Sequence, residues 1–377
     1  MTVQQTIDPG LPAGARATNV GTAPVAPSDV AVLFEPYRIN AALQLKNRIM
    51  LAPCTRCRAL PGLVPTPGAV EYYGDRAGAG LLVSEAIMIN ATTQGYRDTP
   101  GIWSPEQVEG WTKVTARVHE RGGLILAQLW HLGRLSHPHY SGAPPVGPSV
   151  VPTEGLIRST RSTPLYHVNP RELSSTEIEE LVAEYAQCAF NAIRADFDGV
   201  EIHAGNGYLP EQFLRQLTNR RTDAWGGSAA KRARFPLAVA EAVADRIGAE
   251  RVAIRLSPAA YFGLMSHTPG DEDAYIHLLE ELSKRGIAYV HTGIIDDATT
   301  YDYLGGTSTE FLRRYWKGTL VSNGGYGPME AAQAIRRGTF DLIAFGRLFI
   351  ANADLVERLR SGAGLRPYAR EILDTLS

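Results

Sequence analysis

Apolar positions fall along this chain in two alternating textures. Short apolar runs are separated by longer stretches in which apolar residues recur every three or four positions. The short runs read as buried strands and the longer ones as amphipathic helices. Eight runs stand out: Asn47–Pro53, Gly80–Ala86, Leu124–Trp130, Gly199–His203, Val252–Ser257, Ala288–Thr292, Leu320–Asn323 and Leu342–Arg347. Helical periodicity covers Ser104–Glu120, Ser175–Arg194, Lys231–Ile247, Asp271–Arg285, Met329–Arg337 and Asp354–Ser361. In the second of these, Ile178, Leu181, Val182 and Tyr185 form the stripe of a helix that covers a sheet. Alternating strands and helices predict an α/β fold with a parallel sheet. Eight repeats in one chain predict a single closed (β/α)8 TIM barrel.

Two stretches leave that rhythm. Residues 1–30 are rich in Pro, Gly, Ala and Thr without periodicity, which predicts a flexible N-terminal extension and leaves 31–377 to the barrel. Residues 133–173, with GAPPVGPSVVP inside them, are too long for a simple loop. They predict an excursion over one face after the third strand, with a small hairpin.

Composition narrows the function. The 377 residues are 44% hydrophobic and 20% charged, enough for a sizeable core. Basic and acidic side chains number 37 and 39, so net charge gives no general case for binding nucleic acid or an anionic membrane. Without a bilayer-length apolar run or a signal-peptide core, the expected location is cytoplasmic. Cys54, Cys57 and Cys188 cannot build a disulfide framework, and Cys54-x-x-Cys57 lacks a second pair or a His at zinc-like spacing. They read as ordinary thiols, and no metal site is expected.

Chemistry in such a barrel belongs at the carboxyl ends of the strands. Those ends carry Thr55, Glu85, Gln128, His203, Arg255, His291, Asn323 and Arg347, so polar groups converge on one mouth. The seventh and eighth strands end in Ser322-Asn323-Gly324-Gly325-Tyr326-Gly327 and Phe345-Gly346-Arg347. Glycines let backbone N–H groups close on an anion, and barrels favour phosphate at these two loops. Arg347 adds a charge-assisted contact. Gln128 can both donate to and accept from the amide edge of a heteroaromatic ring. Arg255 needs an anion, either a ligand such as a reduced flavin ring or a carboxylate partner, Glu201 or Glu85. The densest stretch runs from Glu201 to Leu209. His203 and Asn206 can both donate to one oxygen and draw electron density from a conjugated double bond. Tyr208 can place a phenolic proton beside the same ligand.

These residues sit in longer stretches: LFEPYRI, NRIMLAPCTRCRA, LLVSEA, PGIWSPEQVEGW, LAQLWHLGR, FDGVEIH..NGYL..QFL, N.RTD.WGGS, LVSNGGY and FDLIAFGRLFIANADL. Over residues 32–360 the chain resembles the old yellow enzyme family of FMN-dependent ene-reductases. The resemblance implies FMN as cofactor and NAD(P)H as reductant. It implies that Pro53, Thr55, Ala86 and Gln128 line the flavin ring and that Arg255 faces its N1/O2 edge. Gly324, Gly325, Gly346 and Arg347 would hold the phosphate. His203 and Asn206 would bind the carbonyl or nitro oxygen of the substrate, Tyr208 would protonate Cα, and Trp103 would shape the pocket. Thr55, rather than Cys, matches the main branch. The implied activity is ping-pong reduction of the C=C bond of small activated alkenes (enones, enals, maleimides, nitroalkenes) by a monomer or homodimer. A redox-neutral isomerase on the same barrel is the alternative, and the presence of Tyr208 favours the reductase. Three features depart from the family pattern: the order His203-Ala204-Gly205-Asn206 for the usual H-G-A-N, Pro210 after Tyr208-Leu209, and RPYAREILDTLS where relatives carry a Gly- and Tyr-rich tail.

Overall fold

Parallel hydrogen-bonding joins the eight predicted runs into a closed barrel. Its strands are β1 (Ile49–Leu51), β2 (Leu81–Met88), β3 (Ile125–Trp130), β4 (Gly199–Ala204), β5 (Val252–Leu256), β6 (Tyr289–Thr292), β7 (Thr319–Ser322) and β8 (Leu342–Phe345). Each pairs with its neighbour in the chain, and β8 closes on β1 with Ile343 opposite Ile49. The computed structural model describes residues 24–157, 165–260, 265–369 and 371–375.

The outer helices are α1 (Pro67–Gly74), α2 (Pro105–Glu120), α3 (Ser175–Arg194), α4 (Ala229–Ile247), α5 (Asp271–Arg285), α6 (Ser308–Tyr315), α7 (Pro328–Arg336) and α8 (Leu355–Ser361). Capping boxes start three of them: Ser104 with Gln107, Ser174 with Glu177, and Thr307 with Glu310. In each box, side chain and backbone satisfy donors that the helix start leaves open. The periodicity located six helices and missed α1 and α6. Each has 8 residues, about two turns. Met50, Leu81, Val83, Leu126, Ala253, Tyr289, Val321 and Leu342 fill the barrel interior. A larger apolar layer, including Trp111, Ile178, Tyr185 and Phe235, lies between strands and helices. Full burial of each aliphatic side chain contributes about 1.5–3 kcal/mol.

Strand β2 departs from simple alternation. Val83 lies opposite Leu126 and Ala86 opposite Gln128, so Ser84 and Glu85 share one partner position. That bulge inverts the side-chain parity. It turns Glu85 away from the mouth, where its N–H donates to Tyr73 Oη at 2.7 Å. Its carboxylate accepts from Arg56 N at 3.2 Å, an anchor for the loop after β1.

The excursion after β3 pairs Val146–Gly147 in parallel with Arg171–Glu172. It also carries an antiparallel bridge between Leu156 and Tyr166, the base of the expected hairpin, whose residues 158–164 lie outside the described ones. Of the N-terminal extension, residues 1–23 likewise lie outside. Val30 is buried, and Arg336 Nη2 donates to Asp29 O at 2.8 Å, which ties this stretch to α7. The end of the chain forms a short helix, Ile372–Thr375, and Arg58 Nη2 donates to Leu373 O at 2.6 Å. Among the described residues, no helix is long and apolar enough to cross a membrane.

Candidate active site

His203 of β4 is the register partner of Arg255 on β5, which in turn faces His291 on β6. Register partners in a parallel ladder project from the same face, so these three form a row across the barrel. A second row contains Gln128 opposite Glu201, with Tyr289 two residues before His291. Glu201 accepts from Gln128 Nε2 at 2.8 Å, Tyr289 Oη at 3.0 Å and His291 Nδ1 at 2.9 Å. It is fully buried, which alone would raise its pKa, but His291, Arg255 and Gln128 outweigh burial and hold the carboxyl below its usual range. Burial lowers the His291 pKa, so the imidazole acts as a neutral Nδ1–H donor rather than a cation.

Among the described residues, Arg255 makes no ion pair with a carboxylate, although its charge helps to keep Glu201 ionised. Glu201 directs its oxygens to three other donors, and Glu85 faces outward. Arg255 is 6% exposed, and its Nε has no hydrogen-bond partner among the described residues. A buried guanidinium in this state fits an anionic ligand.

Such a ligand has a place to sit. A cavity of about 260 Å³ is lined by Pro53, Cys54, Asn206, Arg255, Ile294, Asn323, Gly324, Gly325, Tyr326, Gly346 and Arg347, among others. Gly324 has φ +106°, and a Cβ there would lie 2.8–2.9 Å from Ile294 and Asp297. Only glycine fits that turn. Gly346 leaves room for Cys54, whose Sγ would lie 3.2 Å from an added Cβ. Burial raises the Cys54 pKa while Arg255 and Arg347 oppose it, and the net rise keeps the sulfur a thiol. Arg347 begins a short helix directly after Gly346. Asp297 braces the glycine turn: its N–H donates to Gly324 O at 2.9 Å, and its carboxylate accepts from Tyr326 Oη at 2.8 Å and Thr309 N at 3.1 Å. Burial pushes its carboxyl up to about 6.

The stretch after β4 forms the adjoining wall. His203 is 3% exposed, and its Nδ1 has no hydrogen-bond partner among the described residues. Burial first, and Arg255 second, depress its pKa well below the usual imidazole value. Asn206 adopts φ 57°, a left-handed conformation that asparagine tolerates. Its Oδ1 accepts from Ser257 Oγ at 2.9 Å, which turns the Nδ2 donor away from Ser257. Tyr208 stands edge-on to His203 at 4.9 Å and to Trp130 at 4.8 Å, while Trp130 stacks on Tyr96 at 5.6 Å. Ala86 and Trp103 join this aromatic cluster. Behind it, Glu211 accepts from Gly207 N at 2.7 Å and from Arg215 at 2.9 Å, and so fixes the Gly205–Tyr208 turn.

Pro53, Asn206, Arg255, Gly324, Gly325, Gly346 and Arg347 thus share one cavity, with His203 and Tyr208 at its side. Gln128 lies one row deeper, bound to Glu201, and Thr55 is exposed in the loop after β1. Two expected mouth residues sit elsewhere: Glu85 is turned outward by the bulge, and His291 is sealed into the Glu201 layer. Neither Ser257 nor Asp297 was expected at the site from the sequence, and Asp297 had no signal there. Ser257 could have been placed by alternation, two residues beyond Arg255 on the same face.

A profile of the NADH:flavin oxidoreductase / NADH oxidase family matches residues 32–365. The chain is 39% identical over 372 residues to 12-oxophytodienoate reductase 7 of Oryza sativa subsp. japonica, covering 92% of each chain. The old yellow enzyme homologue of Zymomonas mobilis superimposes with a TM-score of 0.85 at 39% identity, covering 90% of this chain and 96% of that one. Morphinone reductase in complex with tetrahydroNAD gives 0.82 at 44% identity, covering 90% and 93%.

Proposed function

The chain belongs to the NADH:flavin oxidoreductase / NADH oxidase family, the old yellow enzymes, as an FMN- and NAD(P)H-dependent ene-reductase, and from that premise we propose how its own residues divide the work. The observation that carries the proposal is Arg255: a buried guanidinium without an ion pair among the described residues, in the cavity that also contains the glycine turn and Arg347. That arrangement fits a ligand with a phosphate at one end and a ring able to take negative charge at the other. Gly324, Gly325, Gly346 and Arg347 would hold the phosphate of FMN, and Pro53, Thr55, Ala86, Gln128 and Arg255 would surround its ring. FMN bound there would supply the hydride chemistry between NAD(P)H and an activated alkene.

The protein's part is to bind, orient and move one proton. His203 stays neutral and donates an N–H to the substrate's carbonyl or nitro oxygen, and Asn206 Nδ2 donates beside it. Two donors on one oxygen stabilise the negative charge that develops there, a preorganised electrostatic effect. Tyr208 gives its phenolic proton to Cα. The edge-on contacts with His203 and Trp130 hold that ring in place. Leu132, Leu135 and Trp103 pack around the same ring and help exclude water. Enones, enals, maleimides and nitroalkenes share the required oxygen conjugated to a C=C bond.

One anaerobic experiment tests the reading. The purified protein, yellow and releasing FMN on acid extraction, should bleach with NADPH or NADH and regain its colour on adding cyclohexenone. Release of FAD or of no flavin would overturn the assignment of the glycine turn. Bleaching without recovery would overturn the alkene site.

A further inference from the structure

We propose that Ser257 is the positioning residue that sets the polarity of the substrate-oxygen site by fixing which end of the Asn206 amide faces the ligand. The inference rests on the assignment of Asn206 above. Ser257 is 1% exposed, and its Oγ touches Asn206 twice. It accepts from Asn206 N at 3.1 Å and donates toward Asn206 Oδ1 at 2.9 Å. The same hydroxyl is also 2.7 Å from Gly293 O. One hydroxyl carries one proton, so two acceptors compete for it.

The two outcomes differ in what the ligand meets. With the proton on Asn206 Oδ1, the carbonyl end of the amide is occupied and Nδ2 is presented as a donor. With the proton on Gly293 O, a lone pair of Ser257 faces Oδ1, and the amide gains by rotating so that Nδ2 contacts Ser257. The ligand would then meet an acceptor. The first state selects anionic or carbonyl oxygens and the second repels them. Serine is held in the position that permits the first state. Its carbonyl accepts from Arg215 Nη2 at 2.6 Å and from Tyr275 Oη at 3.2 Å. Glycines clear space on both sides of its hydroxyl: a Cβ at Gly205 would lie 2.4 Å from Oγ, and one at Gly293 would lie 2.5 Å away. The order Ala204-Gly205 in this chain therefore places the residue without a side chain next to Ser257.

Phenol is the probe, titrated into the FMN-loaded protein and followed by its long-wavelength absorbance band. Loss of one hydrogen bond predicts that Ser257→Ala weakens phenol about three- to tenfold while FMN content and Tm hold. In an Asn206→Ala background, Ser257→Ala should cost nothing further, because its effect passes through that amide. Gly293→Ala presses on the same hydroxyl from the opposite side and should reproduce the loss, which keeps the test open if Ser257→Ala folds poorly. Equal losses in both backgrounds, or no loss beside an intact Asn206, would overturn the role of Ser257 and leave the oxygen site standing. If Asn206→Ala itself leaves phenol affinity unchanged, the site assignment fails and this inference fails with it.

Discussion

His203 and Arg255 are register partners on adjacent parallel strands, so a neutral imidazole and a fixed cation share one face of the barrel at the site. The pairing explains why His203 is uncharged: burial disfavours the imidazolium, and Arg255 adds like-charge repulsion. It also gives an incoming anion two favourable neighbours. His203→Ala should weaken phenol binding by about 1–3 kcal/mol, the value of a hydrogen bond to a charged group. Because His203 is already neutral, phenol affinity should not fall between pH 6 and 8, about where a free histidine loses its proton. Spectroscopic titration of both proteins across that range checks both statements.

Glu201 lies close enough to Arg255 for the guanidinium to help keep it ionised. Glu201→Gln removes a buried negative charge and retains the shape. The reduction potential of bound FMN should move positive, because negative charge gained on reduction would meet less repulsion. A shift on the order of 1–2 kcal/mol fits one partly compensated charge at protein dielectric. Equilibration with a reference dye measures it. An unchanged potential would mean that the carboxylate only orients Gln128.

Why some of this was legible and some was not follows from sequence separation. The strand runs and the glycine turn after β7 are local patterns, and their positions along the chain pointed to the barrel and to the loop proposed for the phosphate. The Ser84–Glu85 bulge is invisible to alternation, since two residues opposite one partner depend on β3 as well as on β2. Arg255 left two alternatives open in the sequence, a ligand or a carboxylate. The structure shows Glu201 hydrogen-bonded to Gln128, Tyr289 and His291, with Arg255 acting on it only through its charge. The Ser257–Asn206 contact joins residues 51 positions apart, and no local pattern announces it.

Gly324 offers a steric test of the phosphate end. Gly324→Ala would place a Cβ within 2.9 Å of Asp297 and Ile294 at φ +106°. The strained backbone should cost about 1–3 kcal/mol and open the turn. FMN dissociation should accelerate about tenfold or more on that scale. Gly346→Ala meets Cys54 Sγ at 3.2 Å and Ala52 Cβ at an ordinary 3.8 Å, and should retain most of its FMN. Fluorescence of released flavin after dilution compares the two. Equal retention in both variants would detach the Gly324 turn from cofactor binding.

Asp297 should leave a pH signature on stability. Its native pKa is pushed up to about 6 from 3.8, so between those values the native state binds a proton that the unfolded chain releases. The stabilisation is fully present below the unfolded value and is lost as pH rises through the native one. A shift of about two units amounts to about 3 kcal/mol. Asp297→Asn cannot titrate there. Relative to wild type, the variant should gain by up to that amount between pH 4 and 7, whatever its constant offset. Urea midpoints of both proteins at the two ends of the range decide it. A pH-independent difference would mean that the carboxyl titrates as an exposed one.

With Tyr208 as the proposed proton donor, the two halves of the catalytic cycle can be separated. On that proposal its proton is needed only when the alkene is reduced, and oxidation of NAD(P)H requires none from it. Tyr208→Phe keeps the ring that packs against His203 and Trp130 and deletes the donor. Bleaching of the bound FMN by NADPH should stay within a few-fold of wild type. Enone reduction should fall by roughly 10²–10⁴, the usual contribution of a positioned general acid. Nitroalkenes should suffer less, because the nitronate they yield is stable enough to be protonated later by water. Stopped-flow absorbance resolves the two steps. Equal losses in both would make Tyr208 a wall of the pocket, with the proton arriving from another group.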